Sequence, residues 1–239
     1  LRPIQLNNQM LDRSRNIMQL TGLLPADGQL EDEELLELYK TLDRRMVNID
    51  DAGFDRELDP NVFNLQRADN DPELSVAIPS DKDLASLGRR SRYTPVYMVW
   101  EGDQLQRLIL PVRGNGMWSM LRGYIALGSD LNTISGMTFY EQNETPGLGD
   151  QITHPHWLEQ WQGRQIYDTQ GDPRFRVSAG TVTPGSATAE FEVDALTGAT
   201  VTGDAVTDMV HYWFGPHGYR EFLLGLRERP PENSAEEGP

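Results

Sequence analysis

Two apolar runs separated by a short acidic break constrain the fold of this chain more than any other feature. Residues 93–100 and 104–113 flank Glu101-Gly102-Asp103, the pattern of a β-hairpin with glycine in its turn. Tyr97 and Val99 on one arm, and Leu108, Leu110 and Val112 on the other, supply the two-residue alternation of strands. Strand patterns continue at 121–127 and 134–141, with shorter pieces at 165–167, 175–177 and 191–194. Helical spacing marks residues 1–24, through Ile4, Met10, Leu11, Ile17, Met18 and Leu20. A second helix is expected from Glu31 to about Arg45, through Leu35, Leu36, Leu38, Tyr39 and Leu42, with acids in its dipole-favoured first turn. Three more are expected at 155–162, 197–214 and 219–227. Asp59-Pro60, Asp71-Pro72 and Ile78-Pro79 make 50–83 an irregular but ordered excursion. Helices, then strands, then alternating pieces give an α+β fold, an antiparallel sheet with packed helices. We expect a helical segment over 1–24, one α+β domain over 25–229 and a flexible acidic tail over 230–239.

Composition excludes several classes. The net charge of −16, with 37 Asp and Glu against 21 Lys and Arg, argues against nucleic acid, whose phosphates need clustered cations. There are no cysteines, which excludes disulfides and thiolate-bound iron–sulfur clusters and fits an oxidising compartment. No run of about 18 apolar residues exists to span a bilayer.

Three segments carry candidate chemistry. Asp194-Ala195-Leu196-Thr197-Gly198-Ala199-Thr200 enters an amphipathic run through Val201, Ala205, Val206, Met209, Val210 and Trp213. Thr197 is placed to cap that helix, leaving Thr200 in the first turn, where free N–H groups and the helix dipole suit a phosphodiester. Gly198 and Ala199 keep bulk away from such a group, and Thr202 is the competing hydroxyl. An ordinary capped helix start explains the same tetrapeptide. In Glu144-Thr145-Pro146-Gly147-Leu148-Gly149, the proline and glycines specify a tight turn with open backbone, either a ring-binding loop or a plain surface turn. Gly114-Asn115-Gly116-Met117-Trp118-Ser119 offers an aromatic side chain that either stacks on a ligand or fills the core. It lacks the third glycine and the βαβ context of a dinucleotide fingerprint, so NAD binding is rejected there. His154 and His156 lack a third convergent ligand and read as surface histidines, so no metal site is assigned. His211 and His217 have no evident partners, and no nucleophile arrangement or carboxylate pair stands out, so no catalytic residue is assigned.

In this order the three segments resemble the C subunit family of the Na+-translocating NADH:quinone reductase. The opening Leu1-Arg2-Pro3-Ile4-Gln5, Leu11-Asp12-Arg13, Asn16-Ile17, Leu131-Asn132-Thr133 and Trp213-Phe214-Gly215 extend the likeness over residues 1 to about 228. Asp194 to Thr200 fits the pattern Asp-x-x-[Ser/Thr]-Gly-Ala-Thr, at which a dedicated transferase joins FMN phosphate to the last threonine. The resemblance therefore implies covalent FMN on Thr200, with Thr197, Gly198, Ala199, Thr202, Glu144, Thr145, Gly147, Leu148, Trp118 and Ser119 around it. Asp194 is expected to be read by the flavin transferase during maturation. The family often carries histidine where this chain has Gln142, so no imidazole is expected to tune the flavin. The implied role is electron transfer from an iron-centre subunit to the FMN of the B subunit, towards quinone, with coupled sodium export. An N-terminal membrane helix before Leu1 would make 1–24 membrane-proximal and hold the domain on the periplasmic side of the inner membrane. The isolated chain is not expected to turn over alone. Two other readings stand: the FMN-carrying G subunit of an Rnf-type electron-transport complex, which shares the motifs, and a flavin-free periplasmic assembly or binding module.

Overall fold

The computed structural model describes residues 2–234, with side chains described from Asn8 onward. Its centre is a six-stranded antiparallel sheet. Helix α1 (Arg2–Met18) and helix α2 (Asp32–Lys40) come first, followed by strands β1 (Asp43–Asn48) and β2 (Gly53–Asp55). The excursion before the hairpin holds helix α3 (Leu65–Asn70) and a small ladder of β3 (Ser75–Ala77) with β4 (Arg89–Ser91). Strands β5 (Tyr93–Glu101) and β6 (Gln104–Asn115) form the expected hairpin, and β7 (Met120–Leu127) and β8 (Ile134–Glu141) extend it. The large sheet runs β2-β1-β5-β6-β7-β8. Helix α4 (Pro155–Glu159), the short parallel pair β9 (Arg176–Val177) and β10 (Glu192–Val193), helix α5 (Thr200–Trp213) and helix α6 (Arg220–Glu228) complete the chain.

Both faces of the sheet are covered. Tyr97, Val99, Ile109, Tyr124 and Ala126 pack beneath Ile17 and Met18 at the end of α1, and Leu35 and Tyr39 of α2. Val96, Met98, Leu108, Leu110, Val112 and Ile125 point the other way, towards Val206, Met209, Val210 and Trp213 of α5. The alternating residues of the hairpin thus serve opposite faces, which is why β5 and β6 read as nearly continuous apolar runs.

Five sequence expectations need correction. The strand expected at 165–167 is reduced to isolated bridges of Gln165 with Thr133 and Tyr167 with Pro173, and the helix expected at 155–162 stops at Glu159. The second helix stops at Lys40, not near Arg45: residues 43–48 pair with β5, and 46–48 also with β2. The helix expected from Thr197 begins at Thr200, because Leu196–Ala199 form a turn in which Ala199 N–H donates to Leu196 O (3.0 Å). Thr197 therefore is not the N-cap, and Ala199 occupies that position without a side-chain bond. The last short strand pairs in parallel with β9, outside the antiparallel sheet. In the tail, Glu232 O accepts from Arg45 and Asn233 Nδ2 donates to Gly102 O (2.9 Å), while the expectation for 235–239 lies outside the described residues. No described helix is long and apolar enough to cross a membrane.

Candidate functional site

The three candidate segments, distant in sequence, meet at one end of the sheet. Their junction is the Glu144 carboxylate, which is 4% exposed. It accepts from Met117 N (2.7 Å), Trp118 N (3.0 Å) and the Thr202 hydroxyl (3.1 Å). One acid thus ties the β6–β7 turn to the first turn of α5. Charge-assisted bonds of this kind are the stronger ones, and two of the three fix backbone. Close packing accompanies them. A Cβ on Gly116 would lie 2.2 Å from Glu144 Oε1, and one on Gly149 would lie 2.6 Å from Thr202 Oγ1.

Secondary contacts lock the same loops. Gln142 Oε1 accepts from Glu144 N (2.8 Å), Ser119 Oγ accepts from Asn143 N (2.8 Å), and Trp118 Nε1 donates to Thr145 Oγ1 (3.1 Å). Gln142, the departure from the family pattern, therefore has a structural task as a backbone acceptor. Gln151 bridges the remaining gap, its Nε2 donating to Leu148 O (2.7 Å) and Thr197 O (3.1 Å). Gln151 carries no motif signal, and only the fold reveals it.

Thr200 and Thr202 are sorted cleanly. Thr202 is 2% exposed and committed to Glu144. Thr200 is exposed at the first residue of α5, beside exposed Thr197 and Gly198 and buried Ala199. The first helical bond made from this end, Gly203 N to Ala199 O (3.0 Å), leaves the preceding N–H groups without intrahelical acceptors. Gly198 sits at φ +72°, and a Cβ there would lie 2.9 Å from Leu148 Cδ2. That contact packs the second loop directly against the turn before Thr200. Around this point Trp118 (67% exposed), Val201 (53%), Met117 (50%) and Leu148 (40%) turn large apolar surface to solvent. Gly147, at φ +75° with open space beside it, leaves backbone approachable.

On its other side Thr200 borders a groove of about 280 Å³, lined also by Ser178, Leu196, Gly203, Asp204 and Arg176. Arg176 is the one cation lining it, and its nearest carboxylate, Glu192 Oε2, is 3.9 Å away. Sequence reading missed Arg176, since an arginine 24 positions before Thr200 gives no local signal. Asp194 is engaged internally: Val182 N (2.7 Å) and Gln160 Nε2 (3.2 Å) donate to its carboxylate, and its own N–H donates to Gln160 Oε1 (2.8 Å). It fixes the approach to α5. His154 precedes Pro155 at the start of α4, and His156 is fully exposed. Among the described residues no group of three or more acids and histidines is arranged to hold a metal.

The chain is similar to known proteins in sequence and fold. Residues 116–215, which contain the second and third segments and the first from Gly116 onward, match the FMN-binding domain family. The C subunit of the Na(+)-translocating NADH-quinone reductase of Pseudomonas aeruginosa is 41% identical over 95% of this chain and 87% of its own length. The chain belongs to the C subunit family of this reductase. The Yersinia pestis C subunit is 34% identical over 98% of the chain and 86% of its own length. The crystal structure of Shewanella oneidensis NqrC superposes with a TM-score of 0.79 at 34% identity, covering 90% of this chain and 99% of that one. The crystal structure of the Parabacteroides distasonis C subunit gives 0.68 at 26% identity over 98% of both chains. Membership makes the chain a subunit of an oxidoreductase complex that transports electrons, with an FMN-binding domain and further subunits as partners. The Rnf-type alternative is set aside by this family assignment.

Proposed function

We propose that Thr200 carries FMN through a phosphoester and that the domain passes electrons from an iron-centre subunit to the FMN of the B subunit. In this reading the transfer is one step on the path to quinone and is coupled to sodium export. The observation that carries the proposal is the pairing of an exposed Thr200 hydroxyl with a buried, engaged Thr202 at the point where the three loops meet. The residues present suit the group. The free N–H groups opening α5 and the guanidinium of Arg176 favour a phosphate at Thr200. Trp118, Met117 and Leu148 supply flat or flexible apolar surface for an isoalloxazine face. Glu144, through the turns it holds, positions Trp118 and Thr145 without facing solvent itself.

Bound FMN supplies one- and two-electron redox chemistry, and the protein sets its orientation and surroundings. Here the rigid scaffold fixes one edge of the site while three exposed apolar side chains leave the other open to a partner. A covalent tether keeps the flavin from being lost on the periplasmic side, where we place the domain. The flavin transferase would recognise the turn from Asp194 to Thr200, whose shape Asp194 maintains through Val182 and Gln160.

Intact-protein mass spectrometry after coexpression with the flavin transferase tests this reading. Wild type and Thr202→Val should gain the mass of one FMN less water, and Thr200→Val should not. A gain in Thr200→Val would move the linkage. No gain in the wild type would leave the flavin-free module as the better description.

A further inference from the structure

On the face of the sheet opposite α5, a cavity of about 320 Å³ opens between α1, α3 and strands β5 to β8. Its lining includes Arg13, Asn16, Tyr97, Tyr124 and Tyr140. Two of these groups make no hydrogen bond of ordinary geometry. Arg13 is half-buried and makes no hydrogen bond or ion pair among the described residues. The Tyr97 hydroxyl is buried, at 1% exposure, and makes no hydrogen bond of ordinary geometry, the Tyr39 phenol being its polar neighbour. A buried polar atom without such a bond is rare enough in folded proteins to require a reason.

The charges around the cavity show what is missing. Arg122, also in its lining, is ion-paired with Glu141 at 2.6 Å and lies 3.9 Å from Asp69. Asp69 in turn is paired with Arg113 at 2.8 Å. Asp12 is exposed at the rim. This chain has 37 acids for 21 basic residues, yet none of those acids pairs with Arg13 among the described residues. The neighbouring phenols are donors rather than anions: burial pushes the Tyr97, Tyr124 and Tyr140 hydroxyls above the usual tyrosine range. Tyr124 is hydrogen-bonded to Tyr140, so the donors that converge on the space are Arg13 of α1, Tyr97 of β5 and the Tyr140 hydroxyl of β8. The Tyr124 and Tyr140 rings, stacked at 5.1 Å, and Pro95 and Pro111 supply apolar walls. Donors approaching from several sides suit a tetrahedral oxyanion better than a planar carboxylate, and the apolar walls suit an organic substituent on it.

We propose that this cavity binds a phosphate ester, with Arg13 as its counter-charge and Tyr97 as a neutral donor. The ester is either a soluble organic phosphate or the headgroup of a phospholipid. The site is separate from Thr200 and independent of the flavin reading.

Thermal unfolding of the full chain with glycerol phosphate, at ionic strength held constant with sodium chloride, tests it. A ligand that binds only the folded state must raise Tm saturably. The wild type should show that rise, Arg13→Gln should bind at least tenfold more weakly, and Tyr97→Phe several-fold more weakly. Without ligand, Tyr97→Phe should match the wild type, because its hydroxyl makes no hydrogen bond of ordinary geometry to lose; this separates a binding defect from misfolding. Flotation with phosphatidylglycerol vesicles distinguishes the sources. Capture of the wild type, lost in Arg13→Gln, identifies a headgroup site, all the more because a chain of net charge −16 is repelled by an anionic surface. Binding of glycerol phosphate without vesicle capture identifies a soluble ester. Failure of both probes with wild type, or unchanged binding by Arg13→Gln, overturns the proposal.

Discussion

Glu144→Gln is the sharpest probe of how the site is held together. The carboxylate has two acceptor oxygens: Oε1 serves Met117 N and the Thr202 hydroxyl, and Oε2 serves Trp118 N. Glutamine keeps only one oxygen. If that oxygen stays on Met117 and Thr202, the new NH2 group faces the Trp118 N–H, donor against donor. A hydrogen bond to a charged acceptor contributes about 1.5–3 kcal/mol, and a stranded buried donor adds to the loss. We therefore expect a destabilisation of about 2–4 kcal/mol. For a chain of this size that corresponds to a fall in Tm of roughly 5–15 °C. Calorimetry at neutral pH measures the fall, and hydrogen exchange at the Met117 and Trp118 amides locates it. The double variant with Thr202→Val should show a coupling of about 1 kcal/mol, since the two single changes remove the same bond. A Tm within about 2 °C of wild type, with both amides still protected, would refute the reasoning. It would mean that Asn143 N to Ser119 Oγ and the Trp118–Thr145 bond hold the loop by themselves.

Three further outcomes follow from the same structure. Gly149→Ala places a Cβ 2.6 Å from Thr202 Oγ1 and 2.8 Å from Glu144 Cβ, and should lower stability by about 1–3 kcal/mol in urea titrations while slowing FMN loading. Asp69→Asn leaves Arg113, buried and 2.8 Å away, without its counter-charge, and should cost about 3–5 kcal/mol in the same assay. Burial opposes the charged form of Asp130, but the Thr133 hydroxyl, the Thr133 and Asn132 amides and Arg227 outweigh it and hold the pKa below the usual range. A depressed folded pKa contributes stability that is present above the unfolded value of about 4 and lost as pH falls through the folded one. Tm–pH curves of wild type and Asp130→Asn should therefore lie apart at neutral pH and converge in acid.

The hairpin and the two strands after it were legible because their cores cover both faces, leaving long apolar runs between recognisable turns. Strand β1 was not. Leu42 continues the helical spacing of Leu35 and Leu38, and Arg44-Arg45 carries no strand signal. In the fold those arginines lay their side chains over aromatic rings, Arg44 over Tyr39 at 5.1 Å and Arg45 over Phe54 at 4.9 Å. The cover that an apolar residue would announce in sequence is here provided by arginine stems and guanidinium planes. The helix start after Asp194 was misplaced for a different reason. Thr197 satisfies every local rule for a cap, yet its carbonyl is drawn to Gln151 and Gly198 bends the chain against Leu148. Both partners are more than 45 residues away in sequence, beyond the reach of any local rule.

The choice between the two threonines was more accessible than the motif register suggested. Successive residues on an α-helix turn by about 100°, so positions two apart point roughly 200° away from each other. Val206, Met209, Val210 and Trp213 set the phase of α5 towards the sheet, and Thr202 lies four residues before Val206 on that inward stripe. Thr200 must then face outward whatever surrounds it. An inward threonine must also find a partner for its hydroxyl, and an acid supplied by the second loop meets that need. Thr202 finds that acceptor in the buried carboxylate of Glu144. Once buried, that carboxylate needs further donors, which the Met117 and Trp118 amides provide. The site is therefore one hydrogen-bonded assembly that leaves the outward hydroxyl at Thr200 uncommitted.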